Sequence, residues 1–281
     1  MIDPKKIKNA VTLMRIAGIV AGKVNQPVEI CYSGGKDSDV ILELAKMAGI
    51  YYRAIYKNTT VDPPGTIKHC KENGVEIMNP KIRFFELIEK SGLPTRRARF
   101  CCEYLKEYKV LDVSVQGIRK AESSKREKLY DEPVMCRIFG NKSNHVDVFL
   151  PILEWSNEDV EDFINKRGIK CHPLYYDEQG VFHVERRLGC LGCPQPNDRG
   201  LSSFIKYPKL VKAWVRAAQK HIDTHPDCEA SKKFGDGASL FYHNIFCRTY
   251  DEFLYKKSTD LWGETLDCKK ELETYFKIQL D

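Results

Sequence analysis

The chain has 281 residues, 42% of them hydrophobic and 30% charged, with eleven cysteines and a formal net charge of +6. That suits a soluble globular protein with a buried core, in one large or two small domains, and the modest positive charge favours acidic ligands such as nucleotides over a general nucleic-acid coat. The apolar run 16–22 lies between Arg15 and Lys23 and is too short to span a membrane, and residues 1–8 are too charged for a secretory leader. A cytoplasmic protein is therefore expected, whose cysteines serve metal, cluster or redox chemistry rather than disulfides.

Residues 4–23 read as an amphipathic helix with Ile7, Val11, Met14 and Ile16 toward a core, and 28–32 as a short strand. The chain then turns through Ser33-Gly34-Gly35-Lys36-Asp37-Ser38 into a helix over 39–48. Strand, glycine turn and helix start together make a phosphate cradle. Gly34 and Gly35 permit close backbone approach, Ser38 or Asp37 can cap the helix, its open N–H groups favour an anion, and Lys36 adds a mobile positive charge. The spacing is not the Gly-x-x-x-x-Gly-Lys-Ser/Thr of a Walker-type loop.

Further strands are predicted at 51–57, 75–78, 110–118 and 146–152. Helices are predicted after the Pro63-Pro64-Gly65 turn, over 82–91, and from Ser156 or Asn157, as cap, to about Arg167. The alternation predicts an α/β fold, a doubly wound, mostly parallel, Rossmann-like sheet with ligands at the carboxyl ends of its strands. From about residue 168 Gly, Pro and Cys break the pattern, and helices resume over 207–221 and from 252. A nucleotide-binding domain over 1–167 and a Cys-x-x-Cys segment with a helical region over 168–281 are expected.

Adjacent Cys101-Cys102 and Cys190-Leu191-Gly192-Cys193 stand apart from the other cysteines, which are expected in core or surface roles. Four thiolates suit a structural Zn²⁺ or an iron–sulfur cluster. Adjacent cysteines serve a [4Fe–4S] cube, with its separate irons, more easily than one tetrahedral ion. Arg96, Arg97 and Arg99 before the first pair, and Arg186 and Arg187 before the second, would offset an anionic cluster or substrate. His172 and His183 read as loop residues rather than ligands, and the aromatics Tyr207, Trp214, Tyr242 and Phe246 as core.

The 33–38 loop resembles the PP-loop of the adenine-nucleotide alpha-hydrolase superfamily. With Arg99-Phe100-Cys101-Cys102, Gly117-Ile118-Arg119, Pro151-Ile152-Leu153-Glu154-Trp155, Pro173-Leu174-Tyr175 and Gly189-Cys190-Leu191-Gly192-Cys193-Pro194, the order over about residues 25–200 resembles the phosphoadenylyl-sulfate (PAPS) and adenylyl-sulfate (APS) reductase family. The resemblance implies that Ser33, Gly34, Gly35, Lys36, Asp37 and Ser38 hold phosphates or sulfate. Arg119 would reach the anionic group, Glu122, Ser123 and Arg126 would line the mouth, and Asn58 and Thr59 would meet adenosine. Cys101, Cys102, Cys190 and Cys193 would ligate a [4Fe–4S] cluster, with zinc as the alternative. One departure stands out: the family's mobile Glu-Cys-Gly-Ile/Leu-His type tail is missing, leaving Cys228 and Cys268 as substitute nucleophiles.

Three functions follow as expectations. One is a PAPS- or APS-reducing enzyme of sulfur metabolism with a thiol donor such as thioredoxin. Another is an ATP pyrophosphatase in which Lys36, Asp37, Arg119 and Mg²⁺ act at the α-phosphate, adenylating tRNA or DNA for sulfur insertion. The third is a nucleotide-binding partner protein without chemistry.

Overall fold

The computed structural model describes residues 1–139, 144–258 and 265–280. In chain order its elements are α1 (Pro4–Lys23), β1 (Val28–Tyr32), α2 (Lys36–Ala48), β2 (Tyr52–Lys57), α3 (Thr66–Glu72), β3 (Glu76–Met78), α4 (Phe84–Ser91) and α5 (Phe100–Leu105). Then come β4 (Val113–Val115), α6 (Ser124–Leu129), β5 (Val134–Ile138), β6 (His145–Phe149), α7 (Asn157–Arg167), α8 (Leu201–Lys206) and α9 (Lys209–Thr224), followed by α10 (Glu229–Phe234), α11 (Gly237–Phe246), α12 (Tyr250–Lys257) and α13 (Cys268–Phe276). No described helix is long and apolar enough to cross a membrane.

The chain divides into two compact units, one of residues 1–58, 62–79 and 106–189 and another of 59–61, 80–105 and 190–281. The first holds a six-stranded sheet in the order β3-β2-β1-β4-β6-β5, parallel except for β5, which runs antiparallel to β6. It is the α/β, mostly parallel sheet the alternation predicts. β1 is central and buried nearly throughout, as strands covered on both faces are. From β1 the chain steps outward to β2 and β3, then returns to β4 on the other side of β1. The β1–β4 gap is therefore the switch point, and the segments leaving these two strands, 33–36 and 116–119, flank the crevice where such sheets take ligands.

α1 begins as predicted, with Pro4 in its first turn and the Asp3 carboxylate accepting from Lys5 N at 2.8 Å. Its buried stripe is Ala10, Met14, Ala17 and Ala21. Ile16, expected inside, is 44% exposed. Two residues beyond Met14 lies about 200° around the helix, on the opposite face. The strand predicted over 110–118 contracts to three residues, and the edge strand β5 has no counterpart among the predicted elements. Its Val134 and Ile138 face outward, so no inward apolar run marks it.

α7 is opened by Ser156, whose hydroxyl accepts from Asp159 N at 3.2 Å while Ser156 N donates to the Asp159 carboxylate at 2.9 Å. This reciprocal box predicts that Ser156→Ala lowers stability by about 1 kcal/mol, read as a fall in thermal midpoint.

The second unit is helical. Phe84, Leu87 and Ile88 of α4 belong to the same core as Phe204, Trp214, Phe241 and Phe253, with the Phe84 and Trp214 rings 5.2 Å apart. That shared core joins 80–105, placed in the first domain by the sequence reading, to the C-terminal helices. An amphipathic helix states that it has an apolar face, not which core receives it.

Candidate functional site

The loop leaving β1 is built on glycine. Gly34 sits at φ +77°, and a Cβ there would lie 3.0 Å from the Thr66 methyl. Helix α2 has Gly35 as its N-cap with no side-chain cap, contrary to the capping by Ser38 or Asp37 expected from sequence. Both residues lie inside the first turn, and the Ser38 hydroxyl donates back to the Gly35 carbonyl at 2.6 Å. The head of α2 is thus stabilised without a side chain covering it, the arrangement an anion site requires.

Across the crevice Gly117 follows β4, and a Cβ there would lie 2.8 Å from the Asp37 carbonyl oxygen. Glycine lets the two segments touch. Two residues on, Arg119 is 1% exposed and commits its guanidinium threefold: to the Asp37 carboxylate (2.7 Å), the Trp155 carbonyl (3.2 Å) and Asn157 Oδ1 (3.1 Å). Lys36 Nζ meets the other Asp37 oxygen at 3.1 Å. Burial holds the Lys36 ammonium below its usual pKa, against the pull of Asp37. Arg119 therefore grips Asp37, the acid at the head of α2.

Of the other predicted residues, Glu122 and Arg126 line a cleft beside the loop. Glu122 pairs with Arg126 and, at 3.6 Å, with Arg187, while the Ser123 hydroxyl accepts from Arg126 N at 3.3 Å. Burial, then the neighbouring Arg187 charge, lowers the Arg126 pKa, so positive charge is crowded here. A cleft of about 380 Å³ opens among Ser33, Gly117, Ile118, Glu122, Arg126 and Arg137, a volume that suits a small ligand. On its wall the buried Glu29 pairs with Lys57 (3.2 Å), whose Nζ also donates to the Tyr108 carbonyl (2.7 Å). Asn58 is tied to Asn79 at 2.9 Å. Thr59 belongs to the other unit, 1% exposed, with the Cys190 thiol 3.6 Å from its hydroxyl.

Sequence reading passes over Tyr175 as a site residue. Its hydroxyl bonds the Lys36 and Leu188 backbones, and Lys36 Nζ lies 5.5 Å from its ring centre. The signal is present in Pro173-Leu174-Tyr175, a tight turn ending in an aromatic. Behind the loop, Asp39 is 3% exposed and bonded to the Tyr32 hydroxyl and to His69 Nε2 (3.0 Å); burial raises its pKa despite these partners. Here too His172 accepts from Leu174 N on Nδ1 (3.2 Å) and meets the Thr66 hydroxyl on Nε2 (3.4 Å), a pairing that suits the neutral ring. Burial, with His69 beside it, pushes His172 from 6.5 down to about 4. The unfolded chain takes up this proton first, so stability is expected to fall as pH drops from about 6.5 toward 4. The midpoint loss between pH 7 and pH 5 should shrink in His172→Gln.

All four predicted cluster cysteines fall in the helical unit. Cys101 and Cys102 open α5, a helix absent from the sequence-based expectations. The Cys101 thiol is pushed up first by its hydrogen bond with Cys102, then by burial and by Cys190 and Cys193, so it senses all three other sulfurs. Among the described residues, however, no three His, Cys, Asp or Glu side chains are arranged to hold one metal ion. Gly192, at φ +72° between the second pair, presses on the core: a Cβ there would lie 2.5 Å from Phe204 and 2.8 Å from Trp214. Arg96 donates to the Gln195 carbonyl (2.9 Å), tying the approaches to the two pairs. Arg186 is bonded to the Tyr176 carbonyl at 2.6 Å and Arg187 to Glu122, so both serve the first unit. Of the substitute nucleophiles, Cys268 is 5% exposed and raised by burial. Burial also pushes Cys228 up, but hydrogen bonds from Ser231 and Ala230 prevail and lower it.

Residues 27–196 match the family model of the phosphoadenosine phosphosulfate reductase domain. The chain belongs to that family. An uncharacterized protein of Methanocaldococcus jannaschii is 33% identical over 206 residues, which are 68% of this chain and 47% of that protein; the chain thus spans about half the length of this relative. Among solved structures, a PAPS reductase from Candida auris in phosphate complex is 14% identical, covering 68% of this chain and 96% of its own at a TM-score of 0.44. The U34-tRNA thiolase NcsA from Methanococcus maripaludis, with its [4Fe-4S] cluster, is 17% identical and covers 94% of this chain and 86% of its own, at 0.39.

Proposed function

We propose that the chain is an adenine-nucleotide enzyme acting at the α-phosphate: it cleaves ATP to pyrophosphate while adenylating an acceptor oxygen, which sulfur then displaces. The observation that carries this reading is Asp37, an acid held between Lys36 and Arg119 at the head of α2. A pocket for a bare sulfate or phosphate gains nothing from a carboxylate there; a metal–nucleotide complex does. Mg²⁺ arriving with ATP would be held by Asp37 and would neutralise the departing pyrophosphate. Lys36 would balance the same charge, Arg119 would fix the Asp37 rotamer, the 33–38 backbone would cradle the phosphates, and Glu122, Ser123 and Arg126 would line the mouth. Asn58 would face the adenosine. The acceptor would be tRNA or DNA.

Cys101, Cys102, Cys190 and Cys193 fit a [4Fe–4S] cluster better than zinc, because adjacent thiols can serve separate irons. Such a cluster would hold or relay the sulfur.

A second reading is reduction of PAPS or APS to sulfite with a thiol donor such as thioredoxin. Family membership and the lowered thiol of Cys228 favour it. Anaerobically purified protein incubated separately with ATP, PAPS and APS distinguishes the two: pyrophosphate from ATP supports adenylation, and thiol-dependent sulfite supports reduction. Nucleotide binding without either product would make the chain a silent partner protein. Iron and labile sulfide near about four each per chain are expected, and stoichiometric zinc without sulfide would overturn the cluster.

A further inference from the structure

In the helical unit a second thiol site stands apart from the four cysteines. Cys228 Sγ lies 3.7 Å from His221 Nε2 and 3.1 Å from the Ser231 hydroxyl. On its far side His221 Nδ1 faces the Glu89 carbonyl at 3.1 Å. A carbonyl only accepts, so the ring proton sits on Nδ1 and Nε2 turns its lone pair toward the thiol. Gly92 supports this placement: a Cβ there would lie 3.2 Å from Nε2. His221 is 7% exposed, with the His225 ring tilted at 31° and centred 4.7 Å away, whereas Cys228 is partly open to solvent. A nucleophile, a base and a group orienting that base are thus in line.

We infer that Cys228, paired with His221, is an activated thiol that accepts a sulfane sulfur from a persulfide donor. The inference rests on the sulfur-inserting reading above, which needs a sulfur source. Cys228 gives its proton to His221 Nε2, and its thiolate attacks the outer sulfur of R–S–SH. The new Sγ–S bond forms as the R–S to sulfur bond breaks, and the electron pair leaves on R–S⁻, which takes the proton from His221. Cys228 becomes a persulfide with no net oxidant or reductant consumed. Among the described residues its contacts are with His221 and Ser231.

Charged groups flank the pair on α9, α10 and α4. Lys232 lies on the helix Cys228 opens and favours the thiolate, while Glu229 of that helix is paired with Lys233 at 2.5 Å. From α4 the Glu89 carboxylate is paired with Lys220 of α9 at 2.6 Å. His225 bonds the Thr224 hydroxyl at 2.9 Å, and Asp227 precedes the thiol in sequence.

The test uses the full chain, purified anaerobically, without nucleotide. Iodoacetamide at pH 7, with peptides resolved by mass, should label Cys228 about tenfold faster than N-acetylcysteine, with a rate inflection below that of the free thiol. His221→Gln should remove the excess rate and move the inflection up. Brief treatment with sodium polysulfide should leave one added sulfur on the Cys228 peptide, and less of it in His221→Gln. Cys228 labelling no faster than the reference in the unaltered chain, a rate that His221→Gln leaves unchanged, or polysulfide sulfur appearing elsewhere but not on Cys228 would each overturn the proposal. Pyrophosphate release from ATP, measured in parallel, fails independently if only the adenylation reading is wrong.

Discussion

Asp37→Asn is expected to reduce pyrophosphate release from Mg²⁺–ATP by about 10²–10³-fold, the loss typical of one preorganised group facing developing charge. Asparagine keeps an oxygen for the Arg119 Nε–H, now 2.7 Å from Asp37, so the fold should survive with a stability loss of about 1–3 kcal/mol. The sign of the binding change is the sharper readout. Removing the acid leaves Lys36 and Arg119 less neutralised, so the metal-free anion pyrophosphate should bind more tightly while Mg²⁺–ATP turns over more slowly. Calorimetry with pyrophosphate in EDTA and a pyrophosphate-release assay measure the two halves. If both ligands weaken together, Asp37 is merely structural; if turnover is unchanged, the metal–nucleotide reading fails.

Gly192→Ala should damage the helical unit more than any surface change. The new methyl falls 2.5 Å from Phe204 and 2.8 Å from Trp214, both fully buried, so neither ring can yield into solvent. Overpacking costs about 1–3 kcal/mol, and the φ of +72° adds about 1–2 for a residue with a Cβ. A thermal midpoint lower by about 5–15 °C is expected, with iron per chain at less than half that of the unaltered protein, since the residue separates Cys190 from Cys193. Unchanged melting and iron content would show that the Cys-x-x-Cys turn is not held by this core.

The loop was legible because its chemistry is local. Glycines, a lysine, an acid and a helix start within six residues need only a preceding strand to form a strand–turn–helix, and 28–32 supplied its apolar run. Arg119 was legible as a cation but not in its partners. Sequence placed a cation at a strand end; only packing showed that its guanidinium bonds Trp155, Asn157 and Asp37. Tyr175, 142 residues beyond Ser33 in the sequence, was visible as a motif and invisible as a neighbour. Ile16 was misplaced because an apolar side chain was counted without its angle around the helix.

From residue order alone came the kind of sheet, the glycine turn between β1 and α2, the two cysteine pairs and the family they imply, all set by short-range spacing and strand–helix alternation. Tertiary structure decided that 80–105 joins the C-terminal helices, that Arg119 clamps the Asp37 acid, and that the Glu89 carbonyl orients the His221 ring. Each depends on which distant surfaces bury one another. That choice is made by complementary shape and by unpaired polar groups finding partners, and neither leaves a fixed interval in the chain.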